Sequence, residues 1–391
     1  MSSNLIPSQL IHRPATSAEL VELIGRAAAI ASPLELYAGG SKRAVANPRR
    51  EAQPVDLGAF AGVVDYEPSE LVMTVRPATP LAEVEALLAK NGQMLAFEPW
   101  DAGVLWGTAG KSTIGGVIAA GLAGPRRLSA GGARDHLLGF HAVSGRGEAF
   151  KAGGKVVKNV TGYDLSKLIA GSWGQLAIMT ELSLKVLPAP RSTVTVVVEG
   201  LAAEAAVRAM STAMGSRMSP AAAAFVPAQE SDRSRTCLRI EGFAESVAER
   251  ARQLAVLLAS YGPVGELDAQ SALSFWRDVR EAAALQTSEV LWRAHLSPSA
   301  AADLADALDA AGADWFMDWA GAALWIGAHS GKDVRSLVAA HGGHAMLMRA
   351  PDELRATAPI RHPEAPAVAA LSARVRHAFD PAGILDLRRF D

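Results

Sequence analysis

The stretch with the clearest capacity for chemistry is 34–42, LELYAGGSK. An apolar run suited to a short buried strand ends in Gly39 and Gly40, followed by a hydroxyl at Ser41 and a cation at Lys42. Two glycines permit positive φ and leave no Cβ in the way. Successive N–H groups can then point into one concavity and form an anion nest, with Ser41 as a further donor and Lys42 as added charge. This is chemistry for a diphosphate. The pattern also describes an ordinary turn, and it is neither GxGxxG nor GxxxxGK[ST], so neither named nucleotide fingerprint applies. Two other glycine regions can bring matching pieces. Residues 107–124 read GTAGKSTIGGVIAAGLAG, where Gly115-Gly116 lead into a small-residue helix or tight turn. Residues 153–187 contain TGYDLSKLIAGSWGQLAI at 161–178. A helix so poor in bulk admits either close backbone packing or a flat ligand.

Several elements must position these pieces. Thr16-Ser17 caps a helix over 18–30 whose Leu20, Leu23, Ile24 and Ala27 share one face. A strand over 34–38 delivers the glycine turn, and 55–57 is a second short strand. Residues 63–66 and 71–76 read as paired strands. Pro80 suits the first position of a helix over 81–90, which Asn91-Gly92 ends. Arg134-Asp135 precede a strand–turn–strand over 137–150. Asp164 is placed to cap a helix over 165–170, and alternating segments then run to Pro188-Ala189-Pro190, the clearest boundary in the chain. Beyond it the order strand, helix, strand, strand, helix occurs twice, through 193–260 and 289–349. That is the split-βαβ arrangement, and two such halves can build one antiparallel sheet with helices on one face. The last part has a proline-rich loop, a helix over 367–379 and the end FDPAGILDLRRFD.

With 38 basic and 40 acidic residues the net charge is −2, which argues against a general nucleic-acid surface. The sole cysteine, Cys237, can form no internal disulfide and cannot hold an iron–sulfur cluster. A reducing, cytoplasmic setting fits. The start, MSSNLIPSQLIHRP, lacks the apolar core of a signal peptide, and no uninterrupted apolar run is long enough to span a bilayer.

Together the three glycine regions and the order of elements resemble the FAD-binding domain of the vanillyl-alcohol oxidase family, also called the PCMH-type FAD domain. The motifs that carry the resemblance are Gly39-Gly40-Ser41-Lys42, STIGG at 112–116, Arg134-Asp135, the stretch 161–178, and FDPAGIL at 379–385. The resemblance implies an α+β chain in three parts. Residues 1–190 would be a two-subdomain FAD-binding domain, 191–350 an α/β cap with ferredoxin-like halves, and 351–391 a helix and tail returning to the FAD domain. Lys158-Asn159-Val160 before Thr161, and LWRAHLSP at 291–298, add a finer resemblance to the FAD-binding E subunits of bacterial glycolate oxidases.

That likeness implies that Gly39, Gly40, Ser41 and Lys42 hold the pyrophosphate. Ser112, Thr113, Gly115 and Gly116 would line the FAD edge, and Gly174 and Ile178 would lie near the adenine end through their backbones. Asp135 either binds a ribose or stabilises its own loop. Tyr163-Asp164 can approach the cofactor, with Asp164 as a helix cap the alternative. Lys111 and Lys158 either compensate ligand charge or are solvated. No histidine stands in the AGGSK turn, where some family members attach the flavin, so FAD is expected to be non-covalent.

The expected partners are a catalytic FAD subunit and an iron–sulfur subunit, and the expected substrate is a small 2-hydroxy acid. The setting is cytoplasmic or peripheral at the inner membrane through the complex. A self-sufficient FAD enzyme and a largely structural scaffold subunit are the alternatives.

Some features depart from the catalytic relatives. Their histidine-rich HxGDGNxH-like stretch is not recognisable; His329, His341 and His344 are scattered, with HGGH either a metal pair or a strand-turn. Asp386-Leu387-Arg388 replace the usual Asn-Pro-Gly. The catalytic base is unassigned, and no metal is expected. Trp100 and Trp106 are candidates for stacking near the flavin or for core. Arg277 and Arg293 are candidates for a carboxylate clamp or for surface ion pairs. Trp276, Trp292, Trp315, Trp319 and Trp325 predict a partner interface on the cap, with core as their alternative.

Overall fold

The computed structural model describes residues 11–45, 52–101, 103, 105–155, 162–228 and 233–385. The chain opens with helix α1 (Ser17–Ala29), capped by Thr16, whose hydroxyl accepts the Glu19 N–H. Leu20, Leu23, Ile24 and Ala27 are its buried residues, the i, i+3, i+4, i+7 stripe read from sequence. Strands β1 (Leu34–Tyr37) and β2 (Gln53–Asp56) pair in parallel. There follow β3 (Val63–Glu67), β4 (Val72–Val75), α2 (Leu81–Lys90), β5 (Gln93–Met94), α3 (Ile114–Ala120), α4 (Arg127–Ala130) and α5 (Ala133–His136). Then come β6 (Leu137–Ser144), β7 (Ala149–Gly153), α6 (Leu165–Ile169), β8 (Ala177–Lys185) and β9 (Leu187–Pro188). Five of these strands form an antiparallel sheet in the order β3-β4-β8-β6-β7. Pro80 stands one residue earlier than expected, at the cap of α2 and not inside its first turn. Asp164 caps α6 by accepting the Lys167 N–H.

The rest of the chain contains β10 (Ser192–Glu199), α7 (Ala203–Met214), β11 (Ala222–Val226), β12 (Arg235–Gly242), α8 (Ala244–Leu258) and β13 (Val264–Leu267). After α9 (Ala269–Glu281) the pattern repeats as β14 (Val290–His295), α10 (Ala301–Ala310), β15 (Asp314–Asp318), β16 (Ala323–Ala328), α11 (Val334–Ala340) and β17 (His344–Arg349). One eight-stranded sheet results, in the order β13-β10-β12-β11-β15-β16-β14-β17. Each half has its second strand at the join and its fourth at the edge, so two ferredoxin-like halves meet through β11 and β15. Helices α12 (Asp352–Thr357), which the sequence reading placed in a loop, and α13 (Pro366–Phe379) follow. Among the described residues no helix is long and apolar enough to cross a membrane.

Residues paired across antiparallel strands share a face. The register therefore puts Thr195 with Arg239, and Arg293 and Phe316 with Trp325. This face of the eight-stranded sheet meets the first part of the chain. Arg239 reaches Glu98 at 2.7 Å and Glu241 at 3.3 Å; Arg126 reaches the same two carboxylates at 3.0 and 2.7 Å. Two arginines and two glutamates thus close a buried ring across the junction. Burial alone would raise the Glu98 carboxyl, but Arg239 and Arg126 together hold it below its usual range. Trp319 Nε1 donates to the Gly124 carbonyl and Trp106 Nε1 to the Met348 carbonyl, which ties the two parts further.

The five cap tryptophans are 1–8% exposed, so they are core, and the partner interface expected from them has no support. Arg293 is neither clamp nor surface pair. It is 6% exposed, packs over the rings of Trp319, Trp325 and Trp100, and donates to the Ala123 carbonyl. Arg277 makes a surface pair with Asp278.

Removing one member of a buried charge network leaves the others uncompensated, at a cost of about 3–5 kcal/mol. Glu98→Ala is expected to lose stability on that scale in urea denaturation. A loss under about 1 kcal/mol would show that the ring contributes nothing at the junction.

Candidate functional site

Strand β1 delivers the glycine turn, and the two glycines serve different needs. Gly40 has φ +76°, a left-handed conformation that favours glycine. Gly39 is required by close approach: a Cβ there would collide with the Lys111 carbonyl and lie 3.0 Å from Thr113 Cγ2. Gly110 makes the reciprocal contact, since its Cβ would strike the Gly39 carbonyl and lie 2.6 Å from Ser41 N. A parallel bridge pairs Gly40 with Lys111. Gly115 is pressed in the same way against Pro77. The first two glycine regions are thus packed backbone to backbone.

That packing brings the polar groups together. Ser41 Oγ lies 3.1 Å from Ser112 Oγ, and Lys42 Nζ donates to both hydroxyls, at 3.2 and 3.1 Å. Thr113 caps α3, its Oγ1 accepting the Gly116 N–H at 3.3 Å. Among the described residues Lys42 has no carboxylate in ion-pair contact. Burial pushes its ammonium down to about 8, against a weaker opposing pull from Asp101.

A cleft of about 1160 Å³, counting its open mouth, runs along these groups. Gly39, Gly40, Ser41, Lys42, Thr113, Gly115, Gly116, Gly174 and Ile178 line it, as does Lys111. Ser112 stands behind the wall and holds Ser41 and Lys42. Asp135 does not join them: its Oδ2 accepts the Gly132 N–H at 2.8 Å, so of its two readings the structure displays the loop-stabilising one. Arg134-Asp135 lie in the short helix α5, directly before β6, which starts at Leu137 as read from sequence. Tyr163 is 94% exposed and outside the lining. Lys158, Asn159, Val160, Thr161 and 386–388 lie outside the described residues.

Sequence reasoning missed several lining residues. Leu36 and Leu57 supply apolar wall, and Pro77, Ala119, Ala120 and Trp173 complete it. The alanines and Trp173 lay inside glycine regions already singled out, in IAAG and GSWG. Leu385 arrives from the far end of the chain. Asp380, 4% exposed, accepts the N–H groups of Ile384 and Leu385, while the Leu34 N–H donates to the Ile384 carbonyl at 2.9 Å. The FDPAGIL turn is therefore built to bring Leu385 to the cleft.

The histidines form no comparable centre. His341 Nδ1 is 2.8 Å from the Leu337 carbonyl, and His344 faces His295 at 5.3 Å between ring centroids. His295 stacks on Trp319, and burial pushes it down to about 3. Among the described residues no group of three or more His, Cys, Asp or Glu is arranged to hold a metal ion. Trp100 and Trp106 are buried in the core shared with the cap, with Lys42 Nζ 5.8 Å from the Trp106 ring centre.

The donor set suits a dinucleotide. Backbone at a glycine turn, the Ser41 hydroxyl and a desolvated cation with no carboxylate in ion-pair contact among the described residues suit a diphosphate; Leu36, Leu57, Ile178 and Leu385 suit a ring. The family model described as "FAD binding domain" matches residues 8–153. Glycolate oxidase subunit GlcE of Escherichia coli (strain K12) is 33% identical over 339 residues, 86% of this chain and 88% of that protein. The chain belongs to the GlcE family of FAD-binding oxidoreductases. Glycolate oxidase subunit GlcD of Bacillus subtilis (strain 168) is 28% identical over 201 residues, 51% of this chain and 40% of that one. Solved structures of alkyldihydroxyacetonephosphate synthase share the fold, with a TM-score of 0.67 at 15% identity, covering 96% of this chain and 76% of the other. The cofactor of this GlcE-family chain is FAD.

Gly39→Ala is expected to cost about 1–3 kcal/mol, as overpacking does. Gly25→Ala, in α1 with nothing within 4 Å of the added Cβ, is expected to gain up to about 1 kcal/mol. Equal effects of the two substitutions in thermal denaturation would contradict the backbone contact.

Proposed function

We propose that this chain is the FAD-binding subunit of a glycolate-oxidising complex. It takes part in the two-electron oxidation of a small 2-hydroxy acid, glycolate to glyoxylate, and the electrons pass to an iron–sulfur partner. The observation that carries this reading is the cleft: two glycine regions locked together by backbone contact, with Lys42 and Ser41 at its polar wall and Ser112 behind them, in a chain of the GlcE family.

Bound FAD supplies the two-electron acceptor. The chain's own residues bind and orient it. The Gly39–Lys42 turn takes the diphosphate, with Lys42 as counter-charge. Ser112 fixes Ser41 and Lys42, while Thr113, Gly115 and Gly116 present backbone along the cofactor. Gly174 and Ile178 face the adenine end. FAD is held without a covalent bond, because no histidine stands in the turn. Residues 1–190 act as the FAD domain, 191–350 as the cap, and 351–391 return to the cleft.

Oxidation of a hydroxy acid also needs a base within hydrogen-bond reach, most often histidine, and an exit for electrons. None of the described histidines lines the cleft, and a lone buried cysteine cannot ligate a cluster. Both features support placing the base and the cluster on partner subunits, in a complex that is cytoplasmic or peripheral at the membrane.

Two measurements check this. Mixed anaerobically with excess glycolate, the lone chain is expected to keep its oxidised flavin absorbance; rapid, complete bleaching would establish a self-sufficient enzyme instead. FAD affinity is expected to depend on Lys42. With its pKa near 8 in the free protein, a bound diphosphate favours the protonated form, so binding takes up a proton at higher pH. Affinity should therefore be greatest below pH ~8 and fall as pH rises above it. Lys42→Met should bind more weakly and lose that dependence. A parent protein whose affinity is the same at pH 7 and pH 9.5 would remove Lys42 from the diphosphate.

A further inference from the structure

Trp173 lines the cleft beside the small residues of α3. Residues 171–174 fold back onto the C-terminal end of α3. The Gly171 N–H donates to the Ile118 carbonyl at 3.0 Å, and the Trp173 N–H to the Ala119 carbonyl at 2.8 Å. Three of these four residues are left-handed: Gly171 at φ +84°, Trp173 at +56° and Gly174 at +79°. Glycine adopts that region freely, whereas a side chain brings Cβ too close to backbone. Strained residues of this kind persist where the surroundings over-determine them, and they concentrate at ligand sites. Here the two hydrogen bonds to α3 fix the backbone, and the conformation sets Trp173 at the cleft wall, half-buried against the core. The wall beside it is built from Gly116, Ala119 and Ala120, which are too small to offer a broad face. Tyr37 also lines the cleft, with the Arg43 guanidinium 4.6 Å from its ring centre.

We propose that Trp173 is the ring-stacking residue of the cleft, its indole packing against a flat ring of the bound FAD. This rests on the assignment of the cleft to FAD made above. Small side chains on α3 leave the thickness that a ring needs, and the left-handed turn presents an aromatic face to it. Stacking of a nucleotide ring on an aromatic residue, read by truncation, changes affinity by about 5- to 150-fold.

The test uses the full chain stripped of FAD and titrated with FAD. Trp173→Phe keeps an aromatic face and is expected to bind within about threefold of the parent. Trp173→Ala is expected to weaken binding by at least about fivefold. The fold-conserving Trp173→Phe also gives a spectroscopic readout. The tryptophan emission lost in that variant should be visible in the FAD-free proteins and vanish when both are saturated, because stacked indole is quenched. Gly39→Ala is titrated with FAD in parallel. If Gly39→Ala retains parental affinity, the cleft assignment fails and the stacking proposal with it. If Gly39→Ala loses FAD while Trp173→Ala binds like the parent, or if the emission difference survives saturation, stacking is overturned and the cleft stands.

Discussion

The structure depends on one backbone-to-backbone contact, between the Gly39–Gly40 turn and Gly110–Lys111. Carbonyl and amide groups meet there at distances that leave no room for a Cβ on either side. Strand β1, the cap residue of α3 and the Ser41–Lys42–Ser112 hydroxyl–ammonium cluster all take their places from it. A close-packed interior relaxes little when one methyl group is added, so the contact behaves as a fixed hinge pin and not as a compliant loop. The cleft is its consequence: one wall is the turn, the next is α3, and the third is the 173–178 segment that docks on the end of α3.

The second constraint is electrostatic. Burying four charges at a junction is costly unless each is matched, and the Glu98–Arg239–Glu241–Arg126 ring matches them in alternation. Arg293 shows another solution, a guanidinium enclosed by indole faces. Asp318 shows the strain of the same junction, since burial pushes its carboxyl up to about 7. These groups fix how the eight-stranded sheet sits against the FAD-binding part, which sets what surrounds Lys42 and Trp106.

Much of this was legible in the sequence, for reasons that are themselves physical. The two ferredoxin-like halves announced themselves by alternating and helical periodicities, and the glycine regions by a composition that permits close approach and positive φ. The features that could be read were those set by local sequence: the glycine turn after its strand, and Thr16 and Asp164 before their helices. What could not be read depends on distant partners. Glu98 and Arg239 are ordinary charged residues until the fold brings them together. Asp135 carries the same carboxylate whether it meets a ribose or the Gly132 N–H. The cap tryptophans have the composition of an interface and the burial of a core. Gly39 was read as part of an anion nest, while its tighter requirement, the Lys111 carbonyl, lies 72 positions away in the chain.

The central claim is that one cleft, built on that glycine contact, receives FAD. Amide hydrogen exchange of the FAD-free chain with and without added FAD tests it most directly, because exchange reports which backbone segments are held. The account predicts added protection in three separated peptides, covering 36–43, 111–120 and 173–179, with the outer strands β13 and β17 unchanged. Protection confined to other segments, or no change in those three while FAD remains bound, would contradict it.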